Sequence, residues 1–229
     1  MSSDASRNVR DEDAAPSILR VTRDWLVVDK PAGWHSVRGR TVAGSRGGGV
    51  LEPWLAHARP ELAELPESGL VHRLDRDTSG CVVVARSLSA HADLVRRFRA
   101  GRGVRKIYLA RVVPGIASDG DVNLHFTSRH KRSARVLVSD DGDARSAGRT
   151  RWRVIARDAL RGDLVELELI GPGKRHQLRA SCAHLGHPLV GDALYGGSAA
   201  SALQLHAWRV AIDADEVEAP APAWAHVGA

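Results

Sequence analysis

The chain has 229 residues, 43% of them hydrophobic, and a formal net charge of +6, which suits one domain with a sizeable buried core. No run approaches the roughly eighteen apolar residues of a membrane span. Cys81 and Cys182 form neither a CxxC pair nor a disulfide framework, so both read as small buried hydrophobes. Met1 to Pro16 is polar, with acids among its arginines and no apolar core. That composition argues against a secretory or organelle leader. Residues 1–16 read as a disordered lead-in, residues 17–213 as the folded domain and 214–229 as a tail laid over the surface; a cytoplasmic monomer is the default.

Ile18–Val21 and Trp25–Val28 read as two short strands across the polar turn Thr22–Asp24. Lys30-Pro31-Ala32-Gly33 then breaks regular structure, and glycine-rich Gly44–Gly49 leads into a helix over Leu51–Ala58. The continuous apolar run Cys81–Ala85 predicts a strand covered on both faces. Ser87 or Ser89 can cap the next helix, whose Leu88, Ala92, Val95 and Phe98 recur at helical spacing before Gly101 and Gly103. Lys106–Val113 alternates, with Ile107 and Leu109 facing one way and Tyr108 and Ala110 the other. Further strands are expected at Arg135–Val138, Arg149–Ala156, Leu164–Ile170 and Leu203–Ile212, with Asp140–Asp143 a tight connection. His176–Leu185 reads as a helix carrying Leu178, Cys182 and Leu185 on one face, with Gly186 past its end. Strands outnumber helices without strict alternation, so the predicted class is α+β with a mostly antiparallel sheet.

Charge is concentrated between Arg96 and Arg135, where eleven basic residues, among them Arg96, Arg97, Lys106, Arg129, Lys131 and Arg132, face only Asp119 and Asp121 in sequence. Such a segment suits a phosphate backbone; a solvated face is the alternative. The sharpest local pattern is Val71-His72-Arg73-Leu74-Asp75-Arg76-Asp77-Thr78-Ser79-Gly80. It sets a carboxylate between Arg73 and Arg76 in a polar loop just before a buried strand, a common place for a reactive group. Spacing alone equally allows Asp75 or Asp77 merely to fix a turn.

HRLDRDTSG resembles the HRLD-x-x-TSG signature of the RluA-like RNA pseudouridine synthases. Asp24 to Gly33 resembles that family's opening strand and KPAG turn, and Lys106-Ile107-Tyr108-Leu109-Ala110 its K-x-Y-x-A strand. Gly173-Lys174-Arg175-His176-Gln177-Leu178-Arg179, with Gly186-His187-Pro188 and Gly191-Asp192 to Tyr195, resembles its third motif, and Leu205-His206-Ala207 its terminal strand. These agree in order across residues 18 to 212. The resemblance implies a pseudouridine synthase catalytic fold: a mixed, mostly antiparallel sheet, flanking helices and a cleft across the sheet. It implies isomerisation of uridine to pseudouridine in ribosomal or transfer RNA without metal or organic cofactor. Asp75 falls on the essential aspartate, Tyr108 on the active-site tyrosine and Arg179 on the basic partner of the aspartate.

Chemistry suits those assignments. A carboxylate can attack C1′ or C6 of the nucleoside, or remove the C2′ proton. Each route needs an ionised acid in a water-poor pocket, which calls for an adjacent guanidinium; Arg179 is expected to serve bidentately. A stacked uridine must be extruded, and Arg73 is the candidate to fill the gap, with plain phosphate binding as the rival. Further RNA contacts are expected from His72, Arg76, Lys106, Lys174, Arg175 and His176, together with Arg96, Arg97, Arg129, Lys131 and Arg132. Pro172 and Lys174 depart from the usual threonine and arginine of the third motif, and Lys174 lacks the planar fork. Residues 1–17 do not read as an S4-like module, so RNA affinity is expected from the catalytic domain itself. His176, His184 and His187 lack a zinc-site arrangement, and Gly44–Gly49 lacks a P-loop ending. Two rivals remain: a catalytically silent RNA-binding protein, and a hydrolase pairing Asp75 with Asp77.

Overall fold

The computed structural model describes residues 14–38, 48–128, 130 and 133–227. Among them the chain order is β1 (Ser17–Val21), β2 (Trp25–Lys30), α1 (Leu51–Ala58), β3 (Ser79–Ala85), α2 (Leu88–Ala100), β4 (Val104–Val112) and β5 (Asp119–Thr127). There follow β6 (Leu137–Ser139), β7 (Ala147–Ala156), β8 (Asp163–Ile170), α3 (Gln177–His184), β9 (Leu205–Ile212) and β10 (Asp215–Glu218). The strands make one sheet in the order β1-β2-β3-β9-β4-β8-β7-β5-β6, with β10 also on β9. Every pairing is antiparallel except β3 with β9. No helix among the described residues is long and apolar enough to cross a membrane.

Side-chain alternation divides the core into two layers. On the front face Leu26, Val28, Val82, Val84, Tyr108 and Ala110 pack with Leu51 and Leu55 of α1 and with Leu178 and Cys182 of α3. On the back face Trp25, Val27, Cys81 and Val83 pack with Leu94 and Phe98 of α2. Strands β2 and β3 are covered on both sides, which is why they read as unbroken apolar runs. Helices of eight residues such as α1 and α3 are too short to persist alone. Burial holds them, at about 1.5–3 kcal/mol for each fully buried leucine. Both cysteines are free and buried, and burial first of all pushes each thiol up to about 12.

Helix α2 begins and ends as expected. The Ser87 side chain accepts from the Ala90 amide, and Gly101 closes the helix at φ 64°. Its buried stripe is displaced, however: Leu94 and Phe98 face the core, His91 bonds the Leu70 carbonyl one turn earlier, and Leu88 is 65% exposed. Strand β5 escaped the sequence reading because Asp119, Asp121 and Asn123, poor strand formers, alternate with inward Val122, Leu124 and Phe126. Residues 140–146 are not a hairpin. Ser139 and Ala147 both pair with His125, from opposite sides of β5, so this connection crosses over that strand.

The segment after Asp213 is more than a surface tail. It contributes β10, buries Val217 and Ala219 on the back face, and is pinned by Arg111. That guanidinium, 2% exposed, donates to the carbonyls of Trp224 (2.7 Å), Gly162 (2.7 Å) and His226 (3.3 Å). Gly80 has an equally local reason. At φ 105° it lets β9 approach so closely that a Cβ would lie 2.3 Å from the Ala207 carbonyl oxygen.

Candidate active site

The loop bearing Asp75 runs from Val71 to Thr78 into β3, and the turn after β2 holds its backbone. The Gly33 amide donates to Arg76 O (2.9 Å), and Arg76 Nε returns a bond to Gly33 O (3.2 Å). Ser36 Oγ donates to Leu74 O (3.0 Å) and accepts from the Leu74 amide (3.1 Å). Lys30, fully buried, spends its three N–H donors on Pro31 O, Trp34 O and Arg76 O at 2.9–3.0 Å. Burial pushes its pKa down to about 7, opposed by the charges of Asp77, Asp75 and Asp29. The Thr78 amide bonds Asp75 O (3.2 Å). Every peptide around Asp75 is therefore fixed before any substrate arrives.

The Asp75 side chain is 32% exposed and projects on the front face, with Oδ2 3.6 Å from Arg179 Nη1 and 3.7 Å from His176 Nε2. Arg179 differs from expectation in one respect. Its bidentate fork engages Asp192, whose carboxylate is buried, through Nε and Nη2 at 2.7 Å each. Asp75 meets only the remaining Nη1. Burial opposes the Arg179 charge, but its bonds to Asp192 and the charges of Asp192 and Asp75 outweigh that and raise its pKa. Tyr108 lies on the front of β4 at 7% exposure; burial raises its phenol pKa, and the nearby Asp75 charge raises it further. The phenol thus stays protonated.

Other sequence-predicted residues are placed unevenly. Arg73 is exposed and makes no hydrogen bond or ion pair among the described residues. Arg76 braces the loop and lies 3.9 Å from Asp77. The Asp77 side chain is 59% exposed beside Arg76, an arrangement that gives no support to a carboxylate pair. His72 and Lys106, expected at the RNA, turn inward instead. The His72 ring stacks on Phe98 at 4.4 Å and accepts from the Val83 amide, while Lys106 Nζ donates to Gly171 O (2.7 Å) over the same phenylalanine. Arg96 and Arg97 project from α2, behind the sheet, and pair with Asp93, Arg97 also with Asp213 at 2.7 Å. The front-face carboxylate and these arginines therefore lie on opposite sides of the core. Lys174 bonds Arg145 O, and Arg175 bonds Ser133 O and Ala134 O, tying neighbouring segments to the start of α3. Arg129, Lys131 and Arg132 lie outside the described residues.

The three histidines near α3 diverge: His176 meets Asp75 and Tyr195, His184 meets Asp140, and His187 meets Val113 O. Among the described residues no cluster of three or more His, Cys, Asp or Glu side chains could hold a metal. Sequence reasoning assigned no role to Lys30, Ser36, Asp192 or Tyr195. Lys30, Asp192 and Tyr195 stood inside the matched motifs; Ser36 carried no signal.

Burial leaves a measurable mark on this scaffold. It is the main cause holding His72 at about 3 and His206 at about 4. The unfolded chain binds these protons near pH 6.5, so the stability is complete above that pH and is lost as pH falls toward 4 and 3. At pH 5 the loss is roughly 2 kcal/mol per histidine. Urea unfolding at pH 7 and pH 5 is expected to show it, and His72→Gln should shrink the difference by about 2 kcal/mol. An unchanged difference in that variant would contradict the assignment.

The sequence profile of the RNA pseudouridylate synthase family matches residues 24–184, spanning both the Asp75 loop and the Arg179 helix. The chain belongs to this family. Pseudouridylate synthase relatives include the ribosomal large subunit pseudouridine synthase D of Xylella fastidiosa, 41% identical over 188 residues, covering 82% of this chain and 54% of that protein. The protein of the same name from Pseudomonas aeruginosa is 39% identical over 173 residues, 75% of this chain and 51% of its own length. The chain thus spans about half the length of the curated relatives it matches. Among solved members, human RNA pseudouridylate synthase domain containing 1 superposes with a TM-score of 0.66 at 28% identity, covering 91% of this chain and 83% of that one.

Proposed function

We propose that this protein isomerises uridine to pseudouridine in ribosomal RNA, with Asp75 as the catalytic carboxylate and no metal or organic cofactor. One observation carries the reading: an acid on a fully braced loop faces a guanidinium at 3.6 Å, beside a buried, protonated phenol. The reaction breaks the C1′–N1 bond, turns the uracil and joins C5 to C1′, and finally the C5 proton leaves. Asp75 attacks the nucleoside or removes its C2′ proton, with the Arg179 guanidinium facing it at 3.6 Å. Tyr108 supplies an aromatic wall for the base and a hydroxyl that relays the departing C5 proton, passing its own to water as it takes that one up. The relatives' names point to the large ribosomal subunit as the source of the RNA.

Reaching the glycosidic bond requires the uridine to leave its stack, at a cost of a few kcal/mol. Arg73, exposed beside the Asp75 loop, takes the vacated place. Arg73→Ala is expected to slow turnover about tenfold at sub-saturating RNA, measured with a structured transcript. Unchanged turnover would remove that role. The whole reading is tested by mapping pseudouridine with carbodiimide across total RNA from cells with and without the gene. A site lost on deletion and regained with wild type, but not with Asp75→Asn, is the expected result. A site restored equally by Asp75→Asn would overturn the reading, and an RNA-binding protein without chemistry would leave the map unaltered.

A further inference from the structure

His176 and Tyr195 form a second connection to Asp75, and its chemistry follows from which atoms can donate. The Val136 amide, which can only donate, bonds Tyr195 Oη at 2.9 Å. Tyr195 Oη also lies 3.1 Å from His176 Nδ1. On the other side of that ring, Nε2 is 3.7 Å from Asp75 Oδ2. An ionised carboxylate only accepts, so a bare nitrogen lone pair facing it would be repelled, whereas N–H is attracted. Nδ1 is then the acceptor and the Tyr195 hydroxyl its donor. The gap of 3.7 Å exceeds a direct hydrogen bond, as is common in free enzymes before substrate tightens the site.

The backbone points to the same use. His176 stands at the N-cap of α3 in the left-handed region, φ 54°, and its side chain caps nothing. A non-glycine residue held there is strained, and such strain persists where surrounding structure demands one orientation. Here the demand comes from Tyr195, whose ring meets the imidazole edge-on at 5.8 Å and lies 5.3 Å below the Arg179 guanidinium. Asp192, besides fixing Arg179, accepts from the Tyr195 amide at 3.2 Å. The charged groups facing the ring are Asp75 and Asp192, which favour its protonation, and Arg179 and Arg175, which oppose it; burial is the largest influence and lowers its pKa. The imidazole is therefore neutral at pH 7, and its tautomer matters.

We propose that Tyr195 and His176 are positioning residues for Asp75, forming a relay in which Tyr195 O–H donates to His176 Nδ1 and His176 Nε2–H is aimed at Asp75 Oδ2. The relay fixes which carboxylate oxygen is held and leaves Oδ1 to engage the nucleoside. It rests on the pseudouridine synthase reading for its kinetic consequence, but not for its geometry. Because Val136 follows the segment that Arg175 ties down through Ser133 O and Ala134 O, the relay also connects that outer segment to the reacting acid.

The test combines nitrogen-15 NMR of the histidine-labelled full chain with tritium release from a large-subunit ribosomal RNA transcript carrying 5-tritiated uridine. His176 is expected to be protonated at Nε2 in the wild type, and Tyr195→Phe is expected to shift the Nδ1 resonance as that nitrogen loses its donor. In Tyr195→Phe the kcat should fall about 3- to 10-fold, the scale of one hydrogen bond between neutral groups, with KM within about twofold. His176→Gln, whose amide can still donate to Asp75, should retain more activity than His176→Leu. Protonation at Nδ1 in the wild type would overturn the relay, as would an unchanged kcat in Tyr195→Phe or a loss confined to KM. A wild type with the expected tautomer that releases no tritium would instead count against the synthase reading, leaving the relay's geometry upheld.

Discussion

Asp75→Asn is expected to lower pseudouridine formation by about a thousandfold or more, the scale of losing a group that attacks substrate or moves its proton. RNA affinity should remain within a few-fold, because the amide keeps the shape of the acid and Arg73 is untouched. The fold should also survive. Arg179 retains its two bonds to Asp192 at 2.7 Å, so no guanidinium is stranded, and the Asp75 side chain is already 32% exposed. Single-turnover tritium release and filter binding on the same transcript check both halves of the statement. Activity within about tenfold of wild type would remove Asp75 from the chemistry.

Asp192→Asn should differ from it, with a large cost in stability as well as in rate. Its carboxylate is fully buried and Arg179 is only 12% exposed, so the substitution leaves a guanidinium without its main counter-charge. Breaking a buried pair in this way costs about 3–5 kcal/mol, or on the order of 10 °C in Tm for a domain of this size. Asp192 also accepts from the Leu194 and Tyr195 amides at 3.2 Å, so the turn bearing Tyr195 loosens as well. Released from its fork, Arg179 is expected to close onto Asp75, and kcat should drop about 10- to 100-fold. Calorimetry and tritium release measure the two effects. Asp121→Asn, which breaks the exposed pair with Arg149, is the control and should leave Tm nearly unchanged. A Tm for Asp192→Asn equal to that of the control would refute the argument.

The front-face site was legible wherever the chain places its chemistry in one short stretch. Asp75 stood out beside Arg73 and Arg76, though spacing equally allowed a turn, and Tyr108 on its alternating strand was singled out by the family resemblance. Arg179 was legible as a partner but not in its geometry. A bidentate fork can serve one carboxylate fully, and nothing in the linear order says that Asp192, thirteen residues later, outcompetes Asp75. The charge-rich stretch misled for a related reason. Arg96 and Arg97 appear unopposed in sequence, yet Asp93 lies one helical turn back and Asp213 arrives from the far end of the chain. His72 and Lys106 carry polar heads whose apolar neighbours could not be counted before folding. The fold shows the same division. Doubly covered β2 and β3 declared themselves, whereas β5 hid its inward Leu124 and Phe126 behind aspartates, and β10 offered only Val217.

The place of β9 in the sheet has a consequence for how the molecule comes into being. It lies between β3 and β4, yet it is made of residues 205–212, more than ninety positions after either neighbour. Without that strand, β1-β2-β3 and β4-β8-β7-β5-β6 are two separate half-sheets with raw inner edges. The Asp75 loop then belongs to one half, and Tyr108 with Arg179 to the other. Slow, non-local closure of this kind exposes unpaired edges while it lasts. Catalytic competence should therefore switch on late and all at once, and chains arrested before β9 should be inert and prone to clump.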